Sequence, residues 1–360
     1  MRDDDKMMDL PAEFGSGVVG VCDICGTRQA VIILQKERFK LCVIDFLNKT
    51  WIKSEKSPGA PAPLYKSDRV WFETEATRSG KAPAIVLSPT KPVRHPVVLV
   101  TPDVYGITTT LLDASIRLAR EGFEVMIPDV AKTDAVGAGH HVALGAGVRI
   151  RGGVSMGSKK VIGLLHLYTD ALAALRAREM VDPTKTALFG ASYGASLALV
   201  LAAQDTKVAA LVLAYPYPVS PPDLSKLVTA PILFIGGSRD RPAQNAKAQL
   251  VAAGRAPTAT LELFEPSGVR HGFLARDLSA YDLPQAEAAW TRVLAFVKQR
   301  LLPAPPKPPT IPGVKPSGPT AASPATPKAP AAPATSTPVA PRPASPPPAA
   351  ANPTPTPASS

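Results

Sequence analysis

Cysteine is scarce in this chain. Its 360 residues include three, Cys22, Cys25 and Cys42, and an odd number confined to one end does not make a disulfide framework. Long apolar runs are also missing. The most apolar stretch, residues 187–203, is interrupted by Ser192, Tyr193, Gly194 and Ser196, and it is too short and too polar to span a membrane. The opening residues, Met1-Arg-Asp-Asp-Asp-Lys, lead into no apolar h-region, so no secretory signal is expected. Nowhere do five lysines or arginines follow one another, although the formal charge is +11. A surplus spread in this way is a solvated surface and argues against a nucleic-acid partner. No internal repeat is present. These absences predict a cytoplasmic chain that does not enter membranes.

The sequence divides by composition. Residues 303–360 hold 21 of the 41 prolines, with no acidic or aromatic residue and four charges, Lys307, Lys315, Lys328 and Arg342. The rest of that tail is mostly Ala, Ser and Thr. Such a segment cannot bury enough apolar surface to offset chain entropy, so a disordered, polyproline-like tail is expected, suited to protein partners. Residues 1–55 carry every cysteine and are read as a zinc-ribbon-like module. Residues 56–67 are a Pro-rich linker, and residues 68–302 form the main domain.

Within that domain, short β-branched runs alternate with helical patterns. Strands are predicted at Arg69–Glu73, Ala84–Ser88, Val97–Thr101, Glu124–Ile127, Thr186–Phe189, Ala209–Ala214, Ile232–Ile235 and Thr260–Leu263. Helices are predicted at 108–121, 164–178, 193–204, 243–253 and 284–300. Runs such as Pro96-Val-Val-Leu-Val-Thr101 are apolar on both faces, as buried parallel strands must be. The fold class is therefore α/β, a mostly parallel twisted sheet of about eight strands covered by helices on both faces. Ligands bind such sheets at the carboxyl ends of the strands. One Gly-rich connection, 130–163, breaks the rhythm and carries His140 and His141, which could line the pocket or bind metal but are read as solvated loop residues. His166 is expected to pack within its helix, and His95, ahead of its strand, to be exposed.

The strongest local signal is Gly190-Ala-Ser192-Tyr-Gly194, a G-x-S-x-G between an apolar strand and an Ala/Leu-rich helix. A serine in a tight strand-to-helix turn projects its hydroxyl from the backbone, and the helix amino terminus aims an N–H at a developing oxyanion. In this arrangement an acid and then a histidine follow the serine. Pro231-Ile-Leu-Phe-Ile-Gly-Gly-Ser-Arg-Asp240 runs a strand into a glycine turn that ends at an acid. After the next strand comes His271, the last histidine in the chain. Imidazole titrates near neutral pH, so His271 is the expected base for Ser192, with Asp240 fixing its tautomer. The oxyanion donors are expected to be the backbone N–H groups of Tyr193 and of Val104, in the loop after the strand Val97–Thr101. Asp103 lies beside the nucleophile in this reading, or else simply closes its loop.

Pro102-Asp-Val-Tyr-Gly106, Arg120-Glu-Gly-Phe-Glu-Val-Met-Ile-Pro-Asp129, Gly190-Ala-Ser-Tyr-Gly194, Gly236-Gly-Ser-Arg-Asp240 and His271-Gly-Phe273 together resemble the dienelactone hydrolase family, in order over roughly residues 65–302. The resemblance implies the α/β-hydrolase fold, a carboxylic-ester or lactone substrate, and a catalytic set of Ser192, Asp240 and His271 that needs no cofactor. It also implies arginines for a substrate carboxylate, with Arg149, Arg151 and Arg276 as counterparts. The name-giving enzymes use a cysteine nucleophile and usually a glutamate near it, where this chain has Ser192 and Asp103. The competing reading is an interaction or scaffold protein that recruits partners or nucleic acid through the ribbon and tail.

Cys22-Asp-Ile-Cys25 and Cys42-Val-Ile-Asp45 form C-x2-C-x16-C-x2-D, with Asp45 where a zinc ribbon normally carries a fourth cysteine. Zinc accepts a carboxylate oxygen as well as thiolates, and four filled positions make a structural site. Val31–Leu34 and Phe39–Cys42 would be the hairpin strands. The alternative is a ribbon without metal that keeps three thiols.

Overall fold

The computed structural model describes residues 19–21, 28–34, 39–42, 64–102, 106–107, 109–130, 154–157, 159–254, 259–275 and 278–303. The 303–360 tail beyond Pro303 and the linker up to residue 63 lie outside them.

Near the amino terminus, β1 (Val19–Val21), β2 (Arg28–Leu34) and β3 (Phe39–Cys42) form an antiparallel sheet in that order. The hairpin pairs Leu34 with Phe39 and Val31 with Cys42.

The main sheet begins at β4 (Tyr65–Glu73), three residues ahead of the domain start read from composition. It continues with β5 (Lys81–Pro89), β6 (His95–Thr101), α1 (Thr109–Arg120) and β7 (Glu124–Pro128). A two-residue strand, β8 (Val154–Ser155), precedes α2 (Lys159–Arg176), β9 (Val181–Ala191), α3 (Tyr193–Gln204) and β10 (Val208–Ala214). Then come β11 (Val219–Ser220), a 3-10 turn at Pro222–Leu227, β12 (Ile232–Ile235), α4 (Arg241–Ala252), β13 (Leu261–Phe264) and α5 (Leu283–Leu301).

The eight strands lie in the order β13-β12-β10-β9-β6-β7-β5-β4. From β7 to β13 neighbours are parallel, whereas β5 runs antiparallel to both β7 and β4. Seven residues, 74–80, join β4 to β5, too few for the crossover that a parallel pair needs. All seven residues of β6 are buried, which requires cover on both faces. α3 is buried nearly all round, from Tyr193 to Ala202, as expected for a helix between the sheet and other elements. On the surface of the helical layer, Arg117 of α1 holds Glu287 of α5 through its two terminal guanidinium nitrogens, at 2.9 and 2.7 Å.

The strand order fixes where a ligand can bind. After β6 the chain moves to β7 on one side, and β9 lies on the other side of β6 before the chain turns away to β10. Connections leaving adjacent strands in opposite directions open a crevice at their carboxyl ends. That crevice lies between Thr101 and Ala191, the last residues of β6 and β9.

Two histidines sit otherwise than expected. His95 is buried, its ring nitrogens 3.0 Å from the Gly122 carbonyl and 2.9 Å from that of Lys91, because the strand it opens is central. His166 lies on the exposed face of α2, whose core-facing residues include Leu164, Leu165, Leu167 and Tyr168. Among the described residues no helix is long and apolar enough to cross a membrane.

Candidate functional site

Ser192 stands immediately after β9 and immediately before α3. Its backbone is left-handed, φ 55° and ψ −124°, a conformation that costs a non-glycine residue about 1–3 kcal/mol and tends to be held at functional sites. Its N–H donates to the Ala214 carbonyl at 2.8 Å, fastening the turn to the end of β10. The flanking glycines answer to close approach. A Cβ on Gly190 would lie 2.5 Å from the Ala195 Cα, and one on Gly194 would lie 2.3 Å from the Thr101 oxygen. Thr101 tightens the same junction, its hydroxyl donating to the Gly194 carbonyl at 2.8 Å. The start of α3 is thereby pressed against the end of β6. The first N–H groups of a helix have no intrahelical acceptor, which leaves that of Tyr193 for an anion beside Ser192. The Tyr193 side chain is buried, and burial pushes its phenol up to about 12, so it stays neutral.

Asp240 ends the turn after β12 and caps α4. One carboxylate oxygen accepts from the Ala243 N–H at 3.1 Å, and the other lies 2.8 Å from His271 Nδ1. Its side chain is fully buried. A buried carboxylate needs donors for both oxygens, and the helix terminus and the imidazole supply them. The acid loop and the histidine loop are stitched together: Arg239 N–H donates to Val269 O at 3.1 Å, Ser238 N–H to Pro266 O at 3.3 Å, and Gly268 N–H to the Ser238 hydroxyl at 2.8 Å. A Cβ on Gly237 would lie 2.3 Å from the Val269 oxygen.

His271 Nε2 lies 3.1 Å from Ser192 Oγ. An ionised carboxylate can only accept, so Nδ1 carries the proton toward Asp240, and the lone pair of Nε2 faces the serine hydroxyl. This relay can draw the hydroxyl proton onto the imidazole while the carboxylate holds the ring. The imidazole side chain is 28% exposed, open enough for a substrate to approach.

The three residues singled out as nucleophile, base and acid are thus brought together at one rim of the sheet. Tyr193, the expected oxyanion donor, is the first residue of α3 and follows Ser192 directly. Asp103, Val104, Arg149, Arg151 and Arg276 lie outside the described residues, as do Cys22, Cys25 and Asp45. Cys42 ends β3. Among the described residues no group of three or more His, Cys, Asp or Glu side chains could hold a metal. Sequence reasoning missed Tyr215 and Tyr217, whose rings lie 5.0 and 5.1 Å from the His271 ring. The signal available was Tyr215-Pro-Tyr217-Pro, directly after the strand beside β9. Tyr215 (φ 41°) and Ser192 are the non-glycine residues with positive φ among those described.

A parallel-centred sheet with a strained serine at a strand-to-helix turn, and a histidine and an acid from later strand ends, defines an α/β-hydrolase. The dienelactone hydrolase family pattern matches residues 82–301; the chain belongs to that family and is a hydrolase. It is 28% identical over 224 residues to a probable 2-oxo-3-(5-oxofuran-2-ylidene)propanoate lactonase from a Bradyrhizobium species, a match covering 58% of this chain and 85% of the relative. The solved structures that share the fold include these two. One is a putative dienelactone hydrolase from Klebsiella pneumoniae, at TM-score 0.53 and 21% identity, covering 65% of this chain and 99% of that one. The other is the dienelactone hydrolase-like promiscuous phosphotriesterase P91 from metagenomic libraries, at TM-score 0.53 and 17% identity, covering 66% and 99%.

Proposed function

We propose that this hydrolase cleaves a carboxylic ester or lactone through an acyl-enzyme on Ser192. The observation that carries the reading is the unbroken relay from Ser192 Oγ to His271 at 3.1 Å and on to Asp240 at 2.8 Å. Ser192 attacks the carbonyl carbon while His271 Nε2 takes its proton. Asp240, buried and doubly hydrogen-bonded, stabilises the imidazolium without accepting the proton. The N–H groups of Tyr193 and Val104 receive the oxyanion. The imidazolium then protonates the leaving alkoxide, and water repeats the sequence to release the acid. For a lactone the alkoxide stays tethered to the acyl group, so the product is a single hydroxy acid. The naming of the Bradyrhizobium relative as a lactonase favours a cyclic ester. Initial rates on a panel of lactones, aryl esters and thioesters test the proposal. Turnover of lactones or aryl esters is expected, and inertness toward every oxygen ester would overturn it.

We also propose a structural zinc on Cys22, Cys25, Cys42 and Asp45. Val21, which precedes Cys22, pairs with Arg28, and Cys42 pairs with Val31. The strand ends that lead into the two halves of the motif therefore lie at the same end of the small sheet. Protein purified without chelator is expected to carry near-stoichiometric zinc by elemental analysis, and Asp45→Ala to carry less. Zinc-free protein from such a preparation would end this reading.

A further inference from the structure

His271 is hydrogen-bonded to Asp240 at Nδ1 and faces the Ser192 hydroxyl at Nε2, and a partly exposed imidazole held only along that line can still tilt. Something must fix the plane of the ring for Nε2 to stay on Ser192. Two aromatic rings flank it, Tyr215 in a T-shaped arrangement at 66° and Tyr217 tilted at 53°. Tyr215 is buried and also meets Phe273 edge-on, with centroids 6.3 Å apart.

The backbone that presents these rings is pinned along its length. Tyr215 N–H donates to the Ile235 carbonyl. Ser196, one turn into the helix that Ser192 opens, donates its hydroxyl to the Tyr217 carbonyl and accepts from the Tyr217 N–H, both at 2.9 Å. Gln249 of α4 grips Val219 in the same two-fold way, at 3.0 and 3.1 Å. Beyond it, β11 pairs with β8. The Ser196 hydroxyl is fully buried in a helix of Ala and Leu, where it has no helix-forming advantage. Its position is accounted for by the tyrosine segment it holds.

We propose that Tyr217, backed by Tyr215, is a positioning residue for the general base, and that Ser196 ties its placement to the helix carrying the nucleophile. This rests on the serine-hydrolase reading above. A bulky, rigid aromatic wall fixes the imidazole plane through packing and quadrupole contacts, and a reacting group displaced by about 1 Å loses on the order of 100-fold in rate.

The test is steady-state kinetics on 4-nitrophenyl acetate, with melting curves, for the native enzyme, Tyr217→Phe, Tyr217→Leu, Tyr217→Met and Ser192→Ala. Tyr217→Phe keeps the ring and is expected to stay within a few-fold of native kcat. Tyr217→Leu and Tyr217→Met are expected to lose roughly 10- to 100-fold in kcat with KM little changed, because substrate still binds to a displaced base. A ring that merely lined the substrate pocket would raise KM and leave kcat alone, and that result overturns the proposal. So does native kcat in a folded Tyr217→Leu, a Tyr217→Phe as slow as Tyr217→Leu, or failure of both aliphatic variants to fold, which would make the ring a core element. If Ser192→Ala itself retains native turnover, the underlying reading fails instead, and the two failures are distinguishable.

Discussion

Replacing Ser192 by alanine is expected to lower kcat on a responsive ester by roughly 10⁴- to 10⁶-fold, the scale on which removing a nucleophile from such a relay acts. The change deletes one oxygen. The variant would keep the turn's backbone hydrogen bond to the Ala214 carbonyl and the close packing of Gly190 and Gly194, so the melting temperature should move by only a few degrees. What survives is the electrostatic pull of the N–H at the start of α3 and whatever the pocket does to orient substrate. The loss therefore falls on kcat rather than KM. Native turnover in a fully folded Ser192→Ala would remove the serine from the mechanism.

The second large effect is expected at Asp240, where two functions can be separated by the choice of substitution. The residue caps α4 with one oxygen and orients His271 with the other. Asparagine serves as an N-cap as well as aspartate does, so Asp240→Asn keeps the first function. Its amide N–H₂ then faces Nδ1, which must become the acceptor. The proton moves to Nε2, where it meets the Ser192 hydroxyl instead of receiving its proton. The expected loss in kcat is about 10⁴-fold with the fold retained. Asp240→Ala should lose comparable activity and in addition about 1 kcal/mol or more of stability, from the vacated cap and the unpaired imidazole N–H. Denaturant midpoints and kcat measured side by side check both halves. An Asp240→Asn as active as the native chain would move the orienting role elsewhere.

Much of the site was legible because its residues stand at strand ends, and the strands announce themselves. β6, β10, β12 and the second half of β9, from Thr186 to Ala191, are buried on both faces and, apart from an occasional threonine, read as apolar runs. Once they are placed, Ser192, Asp240 and His271 fall at the same edge by chain order alone. The antiparallel direction of β5 carries no residue signature, although the short 74–80 connection already forbids a parallel neighbour. Other features left no periodic trace. β8 and β11 are two residues each, and the 3-10 turn at Pro222–Leu227 is shorter than any pattern that would reveal it. His95 and His166 reversed their expected exposures because burial depends on which strand is central and which face of α2 meets the sheet. Tyr215 and Tyr217 follow β10 in a Tyr-Pro-Tyr-Pro run that by itself points to no particular partner. Their importance lies in facing His271, far along the chain from both, and a contact of that kind is a property of the fold.

In the proposed mechanism the Ser192 hydroxyl becomes a nucleophile because His271 can take its proton. The most direct measurement is reaction of the full chain with a fluorophosphonate, followed by intact mass and peptide mapping. One adduct is expected, on the peptide carrying Ser192, formed far more slowly in His271→Ala and absent in Ser192→Ala. Continued ester turnover with no adduct on Ser192, or with the adduct on another residue, would contradict it.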